Sequence, residues 1–163
     1  NFVADGYKAL EDNGKYVVYA KADNNLYIYK VDFATEVAIT KDTCSHILNG
    51  VTDWLYEEEF GVTSLVSISP DNKLVAFVRF NQADVPVFEW QTYLDGKYPK
   101  LHSLKYPKAG EINPKVSVCV YDIHYKSIRE MQMPANLDGY IPRLKWREGV
   151  NTNKLSDGVT HGQ

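Results

Sequence analysis

The sequence has few cysteines, no long hydrophobic run and no excess of positive charge, and each shortage excludes a class of protein. Lys and Arg total 18 against 21 Asp and Glu, a formal net charge of −3, so no broad basic surface is available to neutralise a nucleic-acid backbone. The longest apolar runs, such as residues 74–78, are far shorter than the roughly 20 residues of a membrane-spanning helix. We therefore expect neither a nucleic-acid partner nor a membrane span in this chain.

Metal and disulfide chemistry also lack the residues that they need. Cys44 and Cys119 are the only cysteines, too few for a disulfide framework and without the paired spacing of a zinc site. We expect both to be buried apolar thiols. The four histidines are scattered, without an H-E-x-x-H or comparable pattern. The sequence therefore predicts no metal site and no cofactor.

What remains is typical of a β protein. The 12 Tyr and 6 Phe residues occur with Val and Ile in short runs that turn residues separate, and amphipathic patterns of helical length are absent. A first unit, residues 15–41, contains three predicted antiparallel strands, "KYVVYAK", "NNLYIYKVD" and "EVAITK". Both faces of the middle strand are largely apolar, so we expect neighbours on both sides of this sheet.

A second unit begins at "SLVSISPDNKLVAFVRF". Strands are predicted at residues 64–69 and 73–80, around a turn that Pro70 presets. Residues 12–20 and 71–78 share a pattern, a turn containing Asp and Asn that leads into an apolar strand. A weak repeat of short strands over a few tens of residues is typical of β-propeller blades, each of which is a four-stranded sheet.

A third unit is predicted from "VPVFEWQTY", "LHSLKYP", "VSVCVYDIHY" and "SIREMQM", and "YIPRLKW" is a candidate start of a fourth. Residues 148–163 lack apolar periodicity and are interpreted as a polar tail or the start of the next blade. About three antiparallel four-stranded blades do not close a ring, since propellers have about four to eight. Either residues 1–147 form an all-β partial β-propeller from a longer protein, or the fold is a different one. The open edges of a partial propeller predict self-association.

Residues 51–60, "VTDWLYEEEF", set three successive glutamates between aromatic side chains. One interpretation is a short surface helix, with Thr52 or Asp53 as its N-cap and with the acids in solvent. Runs of charge are usually solvated faces of this kind. On this interpretation the segment has no function of its own.

The other interpretation of the same segment is a cation site. Trp54, Tyr56 and Phe60 are costly to leave in water, so we expect them to anchor the segment and to fix the direction of its carboxylates. A primary ammonium has three donors, which two carboxylates and one further acceptor would satisfy, so the pattern suits an amine such as a peptide N-terminus. Glycosidase-like catalysis is a weaker alternative, because its two carboxyl groups flank a bond at about 5 Å or more.

Three motifs carry a resemblance to a known family. "DWLYEEE", residues 53–59, resembles the DW-x-YEEE motif of the dipeptidyl peptidase IV family of prolyl oligopeptidase-type serine peptidases. "SPDNKLVAFVRFNQADVPVFEW" resembles the strand-turn-strand that follows this motif in the family, and "YPKAGEINPKVSVCVYD" resembles its YPKAG..NP.V segment. The three motifs occur in the family's order over residues 49–122, which makes the match specific.

The resemblance implies part of an eight-bladed propeller that caps an α/β-hydrolase domain in a serine exopeptidase. Such an enzyme removes X-Pro or X-Ala dipeptides from free N-termini. The resemblance assigns the substrate's α-ammonium to Glu58 and Glu59, on a short helix supported by Trp54 and Tyr56, whereas Glu57 matches a motif position without that role. The implied partners are a peptide with a free N-terminus, the hydrolase domain of the same parent and a second copy in a homo-oligomer, and the implied location is periplasmic or secreted.

Two parts of the family's machinery are missing from the sequence. No G-x-S-x-G nucleophile elbow occurs, so we expect the Ser-Asp-His triad to lie outside this chain and the chain alone to be inactive. The family's carbonyl-binding arginine should precede the glutamate motif, but every arginine follows it: Arg79, Arg129, Arg143 and Arg147. The alternative function is a non-catalytic propeller module that binds a protein or peptide partner.

Overall fold

The computed structural model describes residues 7, 9–92, 100–108, 110–133 and 139–147. In these residues the chain forms short antiparallel strands and one seven-residue α-helix, and no helix is long and apolar enough to cross a membrane. The elements are β1 (Ala9–Asp12), β2 (Tyr16–Ala20), β3 (Leu26–Lys30), β4 (Thr35–Ala38), β5 (Ile47–Asn49), α1 (Trp54–Phe60), β6 (Val66–Ile68), β7 (Leu74–Asn81), β8 (Val87–Thr92), β9 (Lys100–Lys105), β10 (Lys115–Asp122) and β11 (Ser127–Glu130). The predicted all-β class and the short helix at the glutamates are confirmed, while the predicted tail, residues 148–163, lies outside the described residues.

The first four strands form one antiparallel sheet in the order β1-β2-β3-β4. Four neighbouring strands joined in sequence order are the arrangement of a propeller blade. Leu26 and Ile28 of β3 are fully buried, whereas Tyr27 and Tyr29 on the opposite face are partly exposed. The alternation of β3 therefore turns its aliphatic side chains towards the core and its tyrosines towards the outside of the sheet.

The second sheet has the order β11-β10-β7, with both β5 and β6 on the far side of β7. β5 pairs with residues 79–81 of β7, and β6 pairs with residues 75–77. Between them, the amide of Gly50 donates to the Val78 carbonyl at 2.8 Å, and the Val78 amide donates to the Leu65 carbonyl at 3.0 Å. β5 and β6 are thus two halves of one edge strand, and residues 51–64 leave the sheet where that strand is interrupted.

Glycine is required where the edge strand breaks. Gly50 has a φ of +68°, and a Cβ at this position would lie 2.5 Å from Cγ2 of Val66 and 3.0 Å from the methyl groups of Leu26. Any other residue would meet both the left-handed backbone and the packed core between the sheets. The exit of residues 51–64 from the sheet depends on this one position.

The grouping of later strands into a third unit is wrong. Among the described strands, β8 and β9 pair only with each other, as a hairpin between β7 and β10. β10 instead pairs with β7 along its whole length, and β11 completes the second sheet. The described residues therefore contain two blade-like sheets and one hairpin. Residues 139–147, which include the predicted start of a fourth blade, contain no strand.

Both faces of the second sheet are covered. One face packs on the first sheet through a shared cluster of Val18, Leu26, Ile28, Ile39, Val66, Ile68, Val75, Phe77, Cys119, Tyr121 and Ile123. The other face buries α1 and part of residues 139–147 through Tyr56, Leu65, Val78, Phe80, Val118 and Ile141. A strand covered on both faces needs apolar residues at successive positions, which explains the continuous run in β7.

The two cysteines have different environments. Cys119 lies in the core on β10, as predicted, and burial raises the pKa of its thiol. Cys44 is exposed, and the prediction that it is buried is wrong. It lies in the irregular segment between β4 and β5, where no strand pairing draws its side chain towards a sheet face.

The segments that were compared as a repeat occupy equivalent places in the two sheets. Residues 13–15 join β1 to β2, and residues 69–73 join β6 to β7, so each forms the turn before the second strand of its sheet. The two turns also meet, since Nδ2 of Asn13 donates to Oδ1 of Asn72 at 2.5 Å. The repeated pattern therefore reflects repeated sheet architecture.

Candidate functional site

Helix α1 lies within the excursion from the edge strand, and local sequence determines both of its ends. The Asp53 carboxylate caps the start, accepting a hydrogen bond from the Tyr56 amide at 3.0 Å. Gly61 ends the helix in the left-handed conformation, and its amide donates to the Glu57 carbonyl at 3.1 Å. These are the usual N-cap and C-cap solutions for unpaired backbone groups. Of the two predicted caps, Asp53 takes the role, while Thr52 closes the loop by donating from Oγ1 to the Val62 carbonyl at 2.5 Å.

Tyr56 fixes the helix to the second sheet. Its ring is 1% exposed and packs edge-on against Phe80, with 4.9 Å between the ring centroids. Its hydroxyl oxygen accepts a hydrogen bond from the backbone amide of Ile141 at 2.8 Å. Burial raises the pKa of this phenol to about 12, so Tyr56 is neutral at physiological pH. One side chain thus joins α1 to β7 and to the segment that contains Ile141.

Trp54 supports the helix from a different direction. Its ring meets the ring of Tyr106 edge-on, with 4.9 Å between centroids, but the residue is 39% exposed. Phe60 is similarly exposed and contacts Tyr56 and Tyr140. Of these three aromatic residues, only Tyr56 is buried, and the other two are held by ring contacts at the surface.

The capping carboxylate of Asp53 is itself buried. Desolvation raises the pKa of Asp53, and the nearby charge of Glu57 acts in the same direction. Hydrogen bonds from the Tyr56 amide and the Gln82 side chain oppose that shift. The cap therefore combines a useful hydrogen bond with the cost of a carboxylate held away from water.

The three glutamates are exposed on α1. Glu57, Glu58 and Glu59 are all solvent-accessible, and within the described ranges no Lys, Arg or His side chain forms an ion pair with them. Successive residues on a helix project about 100° apart. Glu57 lies one turn after Asp53, whereas Glu58 and Glu59 project from neighbouring directions near the end of the helix.

The position of Glu58 and Glu59 opposes helix stability. The C-terminal end of a helix carries partial negative charge, so carboxylates there are unfavourable by about 0.3–1 kcal/mol each, and cations are preferred. The last turn of α1 has no basic residue. Two adjacent carboxylates without a neighbouring cation can bind one from outside, and an ammonium group matches them because its donors satisfy several acceptors at once.

A cavity of about 490 Å³ adjoins Tyr56 but none of these carboxylates. Its lining comes from residues 111–116 and 139–140 as well as Tyr56, and none of the three glutamates of α1 contributes to it. The two charged side chains in the lining already have partners, since Glu111 accepts from the Lys108 amide and Lys115 pairs with Asp84 at 3.2 Å. We therefore place the candidate site on the exposed face of α1.

The remaining candidate groups do not approach this site. Arg79 is paired with Asp42 at 2.5 Å, at the boundary between the two sheets. Across the described stretches of chain, no group of three or more His, Cys, Asp or Glu side chains is gathered in a way that could hold a metal ion. The chemistry available at α1 is therefore that of carboxylates and aromatic rings.

Two supporting residues were not predicted from the sequence as parts of the site. Tyr106 contacts Trp54, and the Ile141 amide donates to the Tyr56 hydroxyl oxygen. Two of the three motifs that carried the resemblance meet here, because the Tyr106 amide at the start of "YPKAG" donates to the Pro86 carbonyl of "DVP" at 3.1 Å. The order of these motifs was the signal that could have identified their contact with α1.

The known proteins to which this chain is similar include dipeptidyl peptidases and a prolyl endopeptidase. A family model described as dipeptidyl peptidase IV (DPP IV) N-terminal region matches residues 7–156. A probable dipeptidyl-aminopeptidase B of Aspergillus niger is 41% identical over 155 residues, covering 83% of this chain and 17% of that protein. Prolyl endopeptidase FAP of Mus musculus is 39% identical over 109 residues, covering 63% of this chain and 14% of that protein.

A solved structure shares both sequence and fold with this chain. The crystal structure of Porphyromonas gingivalis dipeptidyl peptidase 4 superposes with a TM-score of 0.75 at 46% identity, covering 80% of this chain and 19% of that one. The chain thus spans less than one fifth of the length of each of these relatives.

Proposed function

Because this chain belongs to the dipeptidyl peptidase IV family, within its N-terminal region, we propose that it supplies the substrate-amine site of a serine exopeptidase. In this proposal the parent enzyme releases X-Pro and X-Ala dipeptides from peptides with a free N-terminus. Glu58 and Glu59 bind the α-ammonium of the substrate, and Trp54 and Tyr56 hold their helix. The names of the relatives, dipeptidyl peptidases among them, support the class of reaction.

The observation that carries the proposal is the pair of carboxylates, without an ion-pair partner among the described residues, at the C-terminal end of a short helix. Glu58 and Glu59 lie at the end of the helix where its dipole disfavours carboxylates. Among the described residues, no Lys, Arg or His side chain forms an ion pair with them. A substrate ammonium between them would relieve both the dipole and their mutual repulsion. The cost of this arrangement in the free protein is therefore recovered when substrate binds.

An amine site also explains why an enzyme would act only at chain ends. A peptide that continues past Glu58 and Glu59 presents an uncharged amide in place of the ammonium. The two carboxylates would then be desolvated without a charged partner, which costs more than the lost contact alone. Differential binding of this kind selects a free N-terminus without any contact at the bond that is cleaved.

The reaction itself is assigned to residues outside this chain. We place the Ser-Asp-His triad in an α/β-hydrolase domain of the same parent, so residues 1–147 bind and orient the substrate and do not cleave it. The same proposal makes the parent a periplasmic or secreted homo-oligomer. A non-catalytic module that binds a peptide partner is the alternative, and an open reading frame without a downstream nucleophile elbow would favour it.

The test uses the full-length parent and two matched chromogenic substrates, Ala-Pro with a free amine and its N-acetylated counterpart. We expect Glu58→Gln and Glu59→Gln each to lower kcat/KM for the free amine by about 10- to 100-fold, since a charge-assisted hydrogen bond contributes about 1.5–3 kcal/mol. Glu57→Gln is the control, expected to change kcat/KM by less than about twofold. Unchanged kcat/KM in both site variants would refute the amine assignment.

An internal peptide substrate completes the test, because one relative is named a prolyl endopeptidase. We expect the wild-type parent to prefer the free-amine substrate strongly over the N-acetylated one and over a prolyl bond within a longer peptide. Equal cleavage of the free and blocked substrates would show that Glu58 and Glu59 do not determine specificity.

A further inference from the structure

The base of the β8–β9 hairpin is firmly attached to the second sheet. The Val85 amide donates to the Gln82 carbonyl at 3.2 Å, directly after β7, and the Tyr106 amide donates to the Pro86 carbonyl at 3.1 Å. Val85 and Pro107 are buried, although most of β8 and β9 is exposed. The residues that close the hairpin are therefore held by backbone hydrogen bonds and by burial, unlike those of an exposed loop.

A ring contact connects this hairpin base to the start of α1. The Tyr106 ring meets the Trp54 ring edge-on, with 4.9 Å between centroids. Trp54 is the first residue of the helix and directly follows its N-cap. The Gln82 carbonyl accepts from Nζ of Lys105 at 2.5 Å, which ties the second strand of the hairpin to the residue after β7.

The direction in which Glu58 and Glu59 project depends on how the start of α1 is held. Because a seven-residue helix is not stable alone, its direction depends on its tertiary contacts. Tyr56 holds the middle of α1 against the sheet, which leaves its first turn to Trp54 and Asp53. Glu58 lies about 6 Å along the axis from Trp54 at 1.5 Å per residue, so a tilt of about 10° would displace it by about 1 Å.

We propose that Tyr106 is a positioning residue for the substrate amine: through Trp54, the hairpin base fixes the direction in which α1 presents Glu58 and Glu59. This inference rests on the proposed function of those two glutamates. Tyr106 does not contact the amine itself. A displacement of about 1 Å at a binding group is enough to lose up to about 100-fold in rate, so the effect is measurable in substrate binding.

The experiment uses the full-length parent and compares Tyr106→Leu with Tyr106→Phe. We expect Tyr106→Leu to raise KM for the free-amine Ala-Pro substrate by about 3- to 10-fold, with kcat within about twofold, as a loss of ground-state and transition-state binding alike. Tyr106→Phe keeps the ring edge against Trp54 and should restore KM. Tyr125→Leu, at an exposed turn between β10 and β11, is the matched control and should leave both constants unchanged.

A double-mutant cycle separates this inference from the proposed function. In a Glu58→Gln, Glu59→Gln background, Tyr106→Leu should have no further effect on KM, because the groups that it positions are gone. If the glutamate variants alone leave kcat/KM unchanged, the proposed function fails. If they lower it but Tyr106→Leu behaves as wild type, or acts equally in both backgrounds, only the positioning role is overturned.

Trp54→Leu provides a second variant in case Tyr106→Leu does not fold. Trp54 is 39% exposed, so its replacement leaves little cavity. We expect the same rise in KM as for Tyr106→Leu, and no additional rise when the two are combined, since each removes the same ring contact. Additive effects, or an unchanged KM in Trp54→Leu, would contradict the proposal.

Discussion

Removing the hydroxyl of Tyr56 tests the principal anchor of α1. In Tyr56→Phe the ring remains against Phe80, but the Ile141 amide, which donates to this oxygen at 2.8 Å, loses its acceptor. Both groups are buried, and an unsatisfied buried donor costs about 1–3 kcal/mol. We therefore expect the free energy of unfolding of the 163-residue chain to fall by about that amount at pH 7.

Urea unfolding measures this change as a lower midpoint with an unchanged slope. Tyr125→Phe is the control, because Tyr125 is 77% exposed and its hydroxyl remains in water whether the chain is folded or not. If Tyr56→Phe has the same midpoint as wild type, the bond to Ile141 does not hold α1. A changed slope would instead indicate that the compactness of one state, rather than one hydrogen bond, has altered.

The pH dependence of the same variant provides an independent check. The folded pKa of Tyr56 is raised to about 12, against about 10 in an unfolded chain. A raised folded pKa contributes stability that is fully present below the unfolded pKa and is lost as the pH rises through the folded one. The advantage of wild type over Tyr56→Phe should therefore shrink by about 1.4 kcal/mol between about pH 8 and pH 11. A constant difference over that range would refute the buried, neutral phenol.

Two other changes act on the helix and on its exit from the sheet. Asp53→Ala should lower the unfolding free energy by about 1 kcal/mol through loss of the cap. Asp53→Asn keeps the cap, and its stability should increase relative to wild type as the pH rises through the raised pKa of Asp53. Gly50→Ala should cost more than about 2 kcal/mol because strain and overpacking add, and Gly14→Ala, with a positive φ but open space, should cost only about 1 kcal/mol. Urea midpoints check both, and equal losses at the two glycines would contradict the packing argument.

Interactions between residues close in sequence explain the parts of the structure that could be predicted. The start and end of α1 follow from Asp53 and Gly61, which satisfy backbone groups within a few residues. The apolar strands β2, β3, β7 and β10 were also predictable, because their side chains face a core on at least one side. In each case the interactions that decide the structure are close in sequence or depend on composition alone.

Strand pairing could not be predicted in the same way. β8 and β10 are similar runs of β-forming residues, yet β8 forms a hairpin with β9, and β10 joins β7. The difference is decided by contacts between residues that are far apart in the chain, and composition does not encode them. The strand predicted at residues 64–69 contains β6, but β5 was not predicted, because residues 51–64 divide one edge strand and three residues are fewer than a typical strand has.

The supporting residues of the site show the same limit, and they also show why the interrupted edge strand suits the function proposed for it. The excursion of residues 51–64, which contains α1, leaves the sheet after Gly50 and returns at Leu65, two positions held opposite Val78 by backbone hydrogen bonds. Both ends of the excursion are therefore held on β7 beside the fully buried Val78, and Tyr56 and Trp54 tie its middle to two further segments. A binding group on such an excursion is exposed, yet it is held by contacts on several sides. In the proposed function, this exposure gives a substrate amine access to Glu58 and Glu59, and the surrounding contacts hold the two carboxylates in place to bind it.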